Sequence, residues 1–95
     1  GDIIRFDVGG RYQHYRADIA RNGVLGEPTK KIKSYHAAIC RGLDKAIGMI
    51  KPGVRVADVF EAGVETVRKE GIAHYRRSHI GHGIGLDGYD APNIA

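Results

Sequence analysis

Apolar and polar residues alternate at the start of the chain. Every second side chain of residues 3–8 is apolar, and Asp7 lies on the opposite face of the extended backbone, which is the two-residue period of a β-strand. Two glycines follow, and a second extended segment rich in Tyr and Ile runs from about residue 11 to residue 23. This pattern predicts a β-hairpin that folds back near Tyr12 and Gln13.

A spacing of three or four residues between apolar positions replaces the alternation in the middle of the chain. It predicts a helix from Pro28 to about Ile50 with one apolar stripe. The stripe comprises Ile32, Tyr35, Ile39, Leu43, Ala46, Ile47 and Ile50. A second helix is predicted from about Val56 to Gly71. Two glycines inside the first helix lower its propensity by roughly 1 kcal/mol each relative to Ala, so this helix must depend on packing.

The last part of the chain lacks a helical stripe. Residues 74–88 are predicted to form a further extended segment. The predicted order is strand, strand, helix, helix, strand, without an internal repeat. It gives an α+β fold in which the helices cover one face of a small antiparallel sheet.

Glycines recur at every second position around two histidines in HIGHGIGLDGYDAP, residues 79–92. In an extended backbone the alternate glycines from Gly81 to Gly85 share one face, which lets another backbone approach closely, and His82 lies on the other face. The same glycines match G-x-G-x-x-G, but Pro92 opposes the helix that a phosphate-binding loop requires. We therefore do not predict a nucleotide site.

Composition argues against several function classes. With 42% hydrophobic and 27% charged residues, the chain is expected to fold around a core, and no apolar run approaches the roughly 20 residues of a membrane span. The net charge of +4 comes from short basic clusters without interleaved aromatic residues, so neither nucleic acid nor membrane is a predicted partner. The single cysteine, Cys40, makes cytoplasm the default location. Ninety-five residues without an initiator Met are expected to be part of a larger protein.

Two acids of the predicted hairpin are candidates to share a cation. Asp7 and Asp18 are eleven residues apart, and a turn near Gln13 would bring them roughly opposite each other. Opposed carboxylates repel unless a positive charge lies between them. Two Asp oxygens with a His nitrogen suit Mn, Co, Fe or Zn, and such a site can hold two ions. On spacing alone the alternative stays open that Asp7 pairs with Arg5 or Arg21 and that Asp18 is a turn acid.

Two stretches together resemble a known family. FDVGGRYQHYRADIARNGVLGEP, residues 6–28, and HIGHGIGLDGYDAP, residues 79–92, are similar to the metallopeptidases that include Xaa-Pro dipeptidase (prolidase), aminopeptidase P and methionine aminopeptidase, with creatinase as a relative. The resemblance implies that Asp7, Asp18 and His82 are metal ligands. It also implies a partial pita-bread fold, with residues 1–95 as the N-terminal portion of the catalytic domain and the second half absent.

The mechanism of this family sets the functional expectation. The resemblance implies two divalent ions, two further glutamate ligands downstream of the His motif, and a metal-bridging hydroxide that attacks the scissile carbonyl of a short peptide. Because those glutamates lie outside the 95 residues, we expect the isolated chain to bind metal weakly and to be inactive. The longer protein is expected to be a homodimeric, cytoplasmic hydrolase, with manganese among the candidate metals.

One position departs from the family pattern. Where these peptidases carry a substrate-contacting His followed by an acid, this chain has Tyr89 and Asp90. A Tyr hydroxyl can donate a hydrogen bond but is a poorer proton acceptor than an imidazole. His79 is a candidate to take over this catalytic role, or it serves as a structural hydrogen-bonding residue. The alternative functions are a creatinase-like amidohydrolase acting on a small amide, and a binding module that keeps the fold without the catalysis.

Overall fold

The computed structural model describes the whole chain, residues 1–95. It contains a β-hairpin, two helices and a second, shorter strand pair, in that order. The elements are β1 (Ile3–Val8), β2 (Arg11–Tyr12), β3 (Tyr15–Arg16), β4 (Ile19–Val24), α1 (Lys30–Met49), α2 (Val56–Lys69), β5 (Gly81–Gly83) and β6 (Asp90–Ile94). The α+β prediction is confirmed, although the strands form three separate antiparallel pairs instead of one sheet.

The first four strands form one long hairpin. β1 pairs with β4 and β2 pairs with β3, and a single register continues through both pairs to Tyr12 opposite Tyr15. Gln13 and His14 make the turn with φ values of 48° and 72°, the left-handed conformations of a type I′ two-residue hairpin turn. The predicted hairpin is confirmed, and its turn lies one residue further along the chain than expected.

The position of the turn decides the cross-strand partner of Asp7. Asp7 lies opposite Ala20, and the same register places Asp18 opposite Gly9. The two aspartates are therefore diagonal neighbours instead of directly opposed ones. They share one face of the hairpin, because positions two apart on a strand point to the same side. Such diagonal neighbours have Cβ atoms within about 8 Å of each other.

The two helices pack against each other through small side chains. Thr29 caps α1, and its hydroxyl accepts a hydrogen bond from the backbone N–H of Ile32 at 3.2 Å. A Cβ added to Gly42 would overlap Val67 and lie 2.8 Å from the carbonyl oxygen of Gly63, so the helices cross closely at this point. The buried apolar side chains are Ala38, Ala46, Val59, Val64, Val67 and Ile72. Neither helix combines the length and the hydropathy that crossing a membrane requires.

Most of the large apolar residues of the predicted α1 stripe are exposed. Four of them are between 43 and 58% exposed, namely Ile39, Leu43, Ile47 and Ile50. The face that is buried against α2 consists of Ala38, Gly42 and Ala46. The predicted helix is confirmed, and Ala46 and Tyr35 of its predicted stripe are buried or packed against the core. The rest of the buried face is shifted by about one residue, because a close helix crossing admits only small side chains. α2 begins at Val56 as predicted, and its buried residues are Val59, Gly63, Val64 and Val67.

The predicted extended segment over residues 74–88 is largely wrong. Only Gly81–Gly83 forms a strand, and the remaining residues of this segment are turns, bends or irregular backbone. Its partner β6 was not predicted. The bare glycine face does admit a neighbouring backbone, since a Cβ on Gly83 would overlap Ala91 and lie 3.0 Å from the carbonyl oxygen of Asp90. The glycines thus allow β6 to lie directly against β5.

Candidate metal centre

His82 projects from the middle of β5, and its ring is held on one side by the backbone. Nδ1 lies 2.7 Å from the carbonyl oxygen of Gly83. A carbonyl can only accept a hydrogen bond, so Nδ1 carries the hydrogen. The lone pair of the neutral ring is then on Nε2. Metal-binding histidines are commonly oriented in this way, with the second ring nitrogen donating to a carbonyl or carboxylate.

Asp18 lies just before β4, at the point where the hairpin approaches the His82 loop. Its Oδ2 is 3.1 Å from Nε2 of His82, and the backbone N–H of Arg16 donates to the carbonyl oxygen of Gly85 at 2.9 Å. Two electron-rich atoms at this distance must share a proton or a cation. Two donors that bind one ion at about 2.1 Å are separated by about 3.0 to 3.4 Å at octahedral or tetrahedral angles. The Asp18–His82 pair therefore fits a transition-metal ion.

Asp7 does not take part in this contact. Its Oδ2 accepts a hydrogen bond from Arg5 at 2.8 Å, and both side chains are more than half exposed. No three His, Cys, Asp or Glu side chains in the chain converge closely enough to hold an ion. The structure thus brings together two of the three predicted ligands, and it places Asp7 in the Arg5 ion pair that the sequence left open. An exposed ion pair stabilises by only about 0 to 1 kcal/mol, so little free energy opposes a change of partner.

Tyr89, which the sequence nominated for substrate contact, lies directly beside His82. The two rings are stacked, with centroids 4.2 Å apart and planes inclined by 21°. The hydroxyl of Tyr89 donates a hydrogen bond to Oδ1 of Asn93 at 2.7 Å. His79, the other catalytic candidate, contacts Tyr89 edge-on at 6.0 Å and has Nδ1 3.1 Å from the hydroxyl of Ser78. One ring nitrogen of His79 therefore has a hydrogen-bond partner in the neighbouring residue, and both interpretations of His79 stay predictions.

Two residues of the site were missed from the sequence. Asn93 lies on β6, which the sequence did not predict, so nothing indicated its contact with Tyr89. Arg16 lies two positions before Asp18 and therefore on the same strand face. That spacing is a signal that could have identified it.

The family is decided by comparison of the whole chain with known proteins. The sequence profile of metallopeptidase family M24 matches residues 1–95. The chain belongs to this family. Within the aligned region the motifs around Asp18 and His82 are the parts of the chain that carried the resemblance, and the structure brings those two motifs into contact.

Proteins with related sequences include peptidases of both archaea and bacteria. The Xaa-Pro dipeptidase of Pyrococcus horikoshii is 30% identical over 95 residues, which are 100% of this chain and 27% of that protein. The X-Pro aminopeptidase of Thermotoga maritima superimposes with a TM-score of 0.92 at 33% identity, over 100% of this chain and 27% of the other. The methionine aminopeptidase of Thermotoga maritima gives a TM-score of 0.85 at 38% identity, over 99% and 37% of the two chains.

These similarities settle the architecture of the chain. It has part of the pita-bread fold of the M24 metallopeptidases, as the resemblance implied. The chain spans about a quarter of the length of the curated relative.

Proposed function

We propose that residues 1–95 are the N-terminal portion of the catalytic domain of a metal-dependent peptidase that removes residues from the N-terminal end of Xaa-Pro peptides. The observation that carries this proposal is the 3.1 Å contact between Asp18 Oδ2 and His82 Nε2. It joins a carboxylate and an imidazole from motifs 64 residues apart. Membership of a metallopeptidase family supports the same reading.

The chain supplies three residues for the proposed centre. Asp18 and His82 would hold a divalent ion of the Mn, Co, Fe or Zn class, and Asp7 would join them after leaving Arg5. Two such ions, when bound, would polarise the substrate carbonyl and supply an activated water. The Gly83 carbonyl fixes the direction of the His82 ring. Tyr89 limits the movement of that ring by stacking on it, and its hydroxyl is available for hydrogen bonding to a substrate amide if it leaves Asn93.

A creatinase-like amidohydrolase is the second candidate, and Tyr89 favours it. The peptidases of the resemblance carry a His at this position, whereas this chain has a phenol whose hydroxyl is engaged by Asn93. A small amide substrate would make fewer contacts with the site than a peptide does, so the replacement of this His by Tyr would cost it less binding. A third candidate is an inactive binding module, which the separation of Asp7 from the Asp18–His82 pair favours.

The deciding experiment replaces Asp18 by Asn in the full-length protein. Metal content after reconstitution with Mn or Co, and turnover of an Xaa-Pro dipeptide and of a small amide, are measured together. We expect both to be lost, because the amide oxygen is a neutral and weaker ligand than the carboxylate. Asp44→Asn is the matched control, since Asp44 is exposed on α1 and makes no ion pair.

Each candidate function gives a different result in that experiment. Metal-dependent hydrolysis of a small amide but not of an Xaa-Pro dipeptide supports the amidohydrolase. A wild-type protein that binds no metal and turns over neither substrate supports the binding module. Full metal content and turnover in Asp18→Asn would remove Asp18 from the site and contradict the proposal.

The isolated 95-residue chain is expected to behave differently from the full-length protein. With only Asp18 and His82 in contact, it should bind Mn or Co weakly and show no turnover. Isothermal titration that gave sub-micromolar binding of two ions to this chain would contradict that expectation. A cytoplasmic location and a homodimer stay predictions for the longer protein, and so does the expectation that it binds neither nucleic acid nor membrane.

A further inference from the structure

Arg16 joins the hairpin to the loop that follows His82. Its backbone N–H donates to the carbonyl oxygen of Gly85 at 2.9 Å, and its side-chain Nε donates to the carbonyl oxygen of Leu86 at 3.2 Å. The side chain also passes over Gly88, where an added Cβ would lie 3.4 Å from Cδ of Arg16. One residue of the hairpin therefore contacts three positions of the loop.

Arg16 supplies most of the hydrogen bonds that join the two halves of the site. Three hydrogen bonds cross from the hairpin, residues 3–24, to residues 81–95. Two come from Arg16, and the third is the Asp18–His82 pair itself. Arg16 lies two residues before Asp18, and Gly85 lies three residues after His82. The distance between the candidate ligands Asp18 and His82 thus depends on how Arg16 positions the loop.

We propose that Arg16 is a positioning residue for the metal centre, an inference that rests on the proposed function. Its Nε holds the carbonyl of Leu86, which keeps the His82 loop docked against the Asp18 end of the hairpin. A guanidinium is rigid and planar, so it fixes the direction of this hydrogen bond better than a Lys ammonium on a flexible stem does. Groups hydrogen-bonded directly to a metal ligand typically change metal affinity by 10- to 100-fold when they are removed, and Arg16, which contacts the loop and not the ligand itself, is expected at the lower end of this range.

The charge of Arg16 predicts the opposite effect. Arg16, Arg11, Asp7 and Asp18 line the same open depression. A guanidinium repels a divalent ion bound there, so on charge alone the loss of Arg16 should raise metal affinity. A positioning role requires the affinity to fall. The sign of the change therefore separates the two effects.

Arg11 provides the matched control. It lies directly opposite Arg16 in the β2–β3 pair and lines the same depression. Its side chain makes no hydrogen bond to the loop. Arg11→Met removes the same charge at a similar place without removing a link to the loop.

The test uses the full-length protein as wild type, Arg16→Met, Arg16→Lys and Arg11→Met. Titration calorimetry measures Mn²⁺ affinity, and the visible absorption of Co²⁺ reports the ligand geometry. Hydrogen–deuterium exchange of residues 84–89 in the metal-free protein reports docking of the loop. We expect Arg16→Met to weaken metal binding roughly 10-fold, to alter the cobalt spectrum and to speed exchange of the loop. Arg16→Lys should fall between wild type and Arg16→Met, and Arg11→Met should bind metal at least as tightly as wild type.

The possible failures can be told apart. If wild type binds metal and Arg16→Met binds it equally or more tightly, with an unchanged cobalt spectrum, the positioning role is overturned while the proposed function stands. Unchanged exchange of residues 84–89 in Arg16→Met overturns it independently of any metal. If wild type binds no metal, the proposed function falls and this inference falls with it. Should Arg16→Met fail to fold by circular dichroism, Arg16→Lys decides the question by the same three measurements.

Discussion

Replacing Gly42 by Ala tests the close crossing of α1 and α2. The added methyl group would overlap Cγ2 of Val67 and lie 2.8 Å from the carbonyl oxygen of Gly63, a backbone atom that cannot rotate away. Val67 is buried and β-branched, so it has little freedom to turn aside. The two helices must therefore move apart, and the layer of small residues between them loses contact.

Two opposing effects set the size of this change. Ala favours a helix over Gly by about 1 kcal/mol, whereas forcing a methyl group into a packed core costs typically about 1 to 3 kcal/mol. Since the clash involves backbone, we expect the upper end of that cost and a net loss of about 2 kcal/mol in the free energy of unfolding. Gly48, also on α1, has no atom within 4 Å of an added Cβ. Gly48→Ala should therefore stabilise by up to about 1 kcal/mol.

Gly63→Ala provides an intermediate case. Its methyl group would meet the flexible tip of Ile80 at 3.0 Å and Cβ of Ala46 at 3.3 Å, which are contacts that small shifts can relieve. Urea unfolding of the full-length variants, followed by far-UV circular dichroism, measures the three stabilities. The expected order is Gly48→Ala above wild type, then Gly63→Ala, then Gly42→Ala. Equal stability of Gly42→Ala and Gly48→Ala would refute the reasoning, because it would mean that the helices do not cross closely at Gly42.

Two further predictions concern the site. Arg5→Gln should raise the metal affinity of the full-length protein by up to about fivefold in titration calorimetry, since it frees Asp7 from an exposed ion pair of at most about 1 kcal/mol; an unchanged affinity would indicate that this ion pair does not compete with metal binding. Tyr89→Phe should lower kcat/KM by up to about tenfold through loss of the hydroxyl and leave metal affinity unchanged, whereas Tyr89→Leu should weaken metal binding too because His82 loses its stacked ring. Full activity in Tyr89→Phe would exclude substrate contact by the hydroxyl.

Local periodicity predicted the hairpin strands and both helices, but not β6 or the packed face of α1. The alternation in residues 3–8 predicted β1 with its observed bounds, and the start of α2 at Val56 was also correct. The packed face of α1 was predicted wrongly because hydrophobic patterns give most weight to large side chains. Ala38 and Gly42 are buried instead, and only the geometry of a close crossing explains that choice.

The sequence predicted those residues of the site that lie within local motifs. His82 and Asp18 were nominated from motif resemblance, and the structure places their side chains in contact. The sequence did not decide whether Asp7 pairs with Arg5, because the two residues share a strand face in either case. The role of Arg16 depends on how a loop 70 residues away docks on the hairpin, and no local pattern carries that information.

The helix crossing and the candidate metal centre are connected through β5 and β6. Gly63 leaves the space in which the tip of Ile80 packs, and the backbone N–H of Ile80 donates to the carbonyl oxygen of Ile94 at 2.9 Å. Ile94 in turn pairs with Gly81, next to His82. The position of His82 is therefore set from the helix side by the small residues of the crossing and from the hairpin side by Arg16. Asp18 is part of the hairpin and is positioned by it. The 3.1 Å contact between Asp18 and His82 therefore depends both on the helix packing and on the Arg16 contacts that position His82.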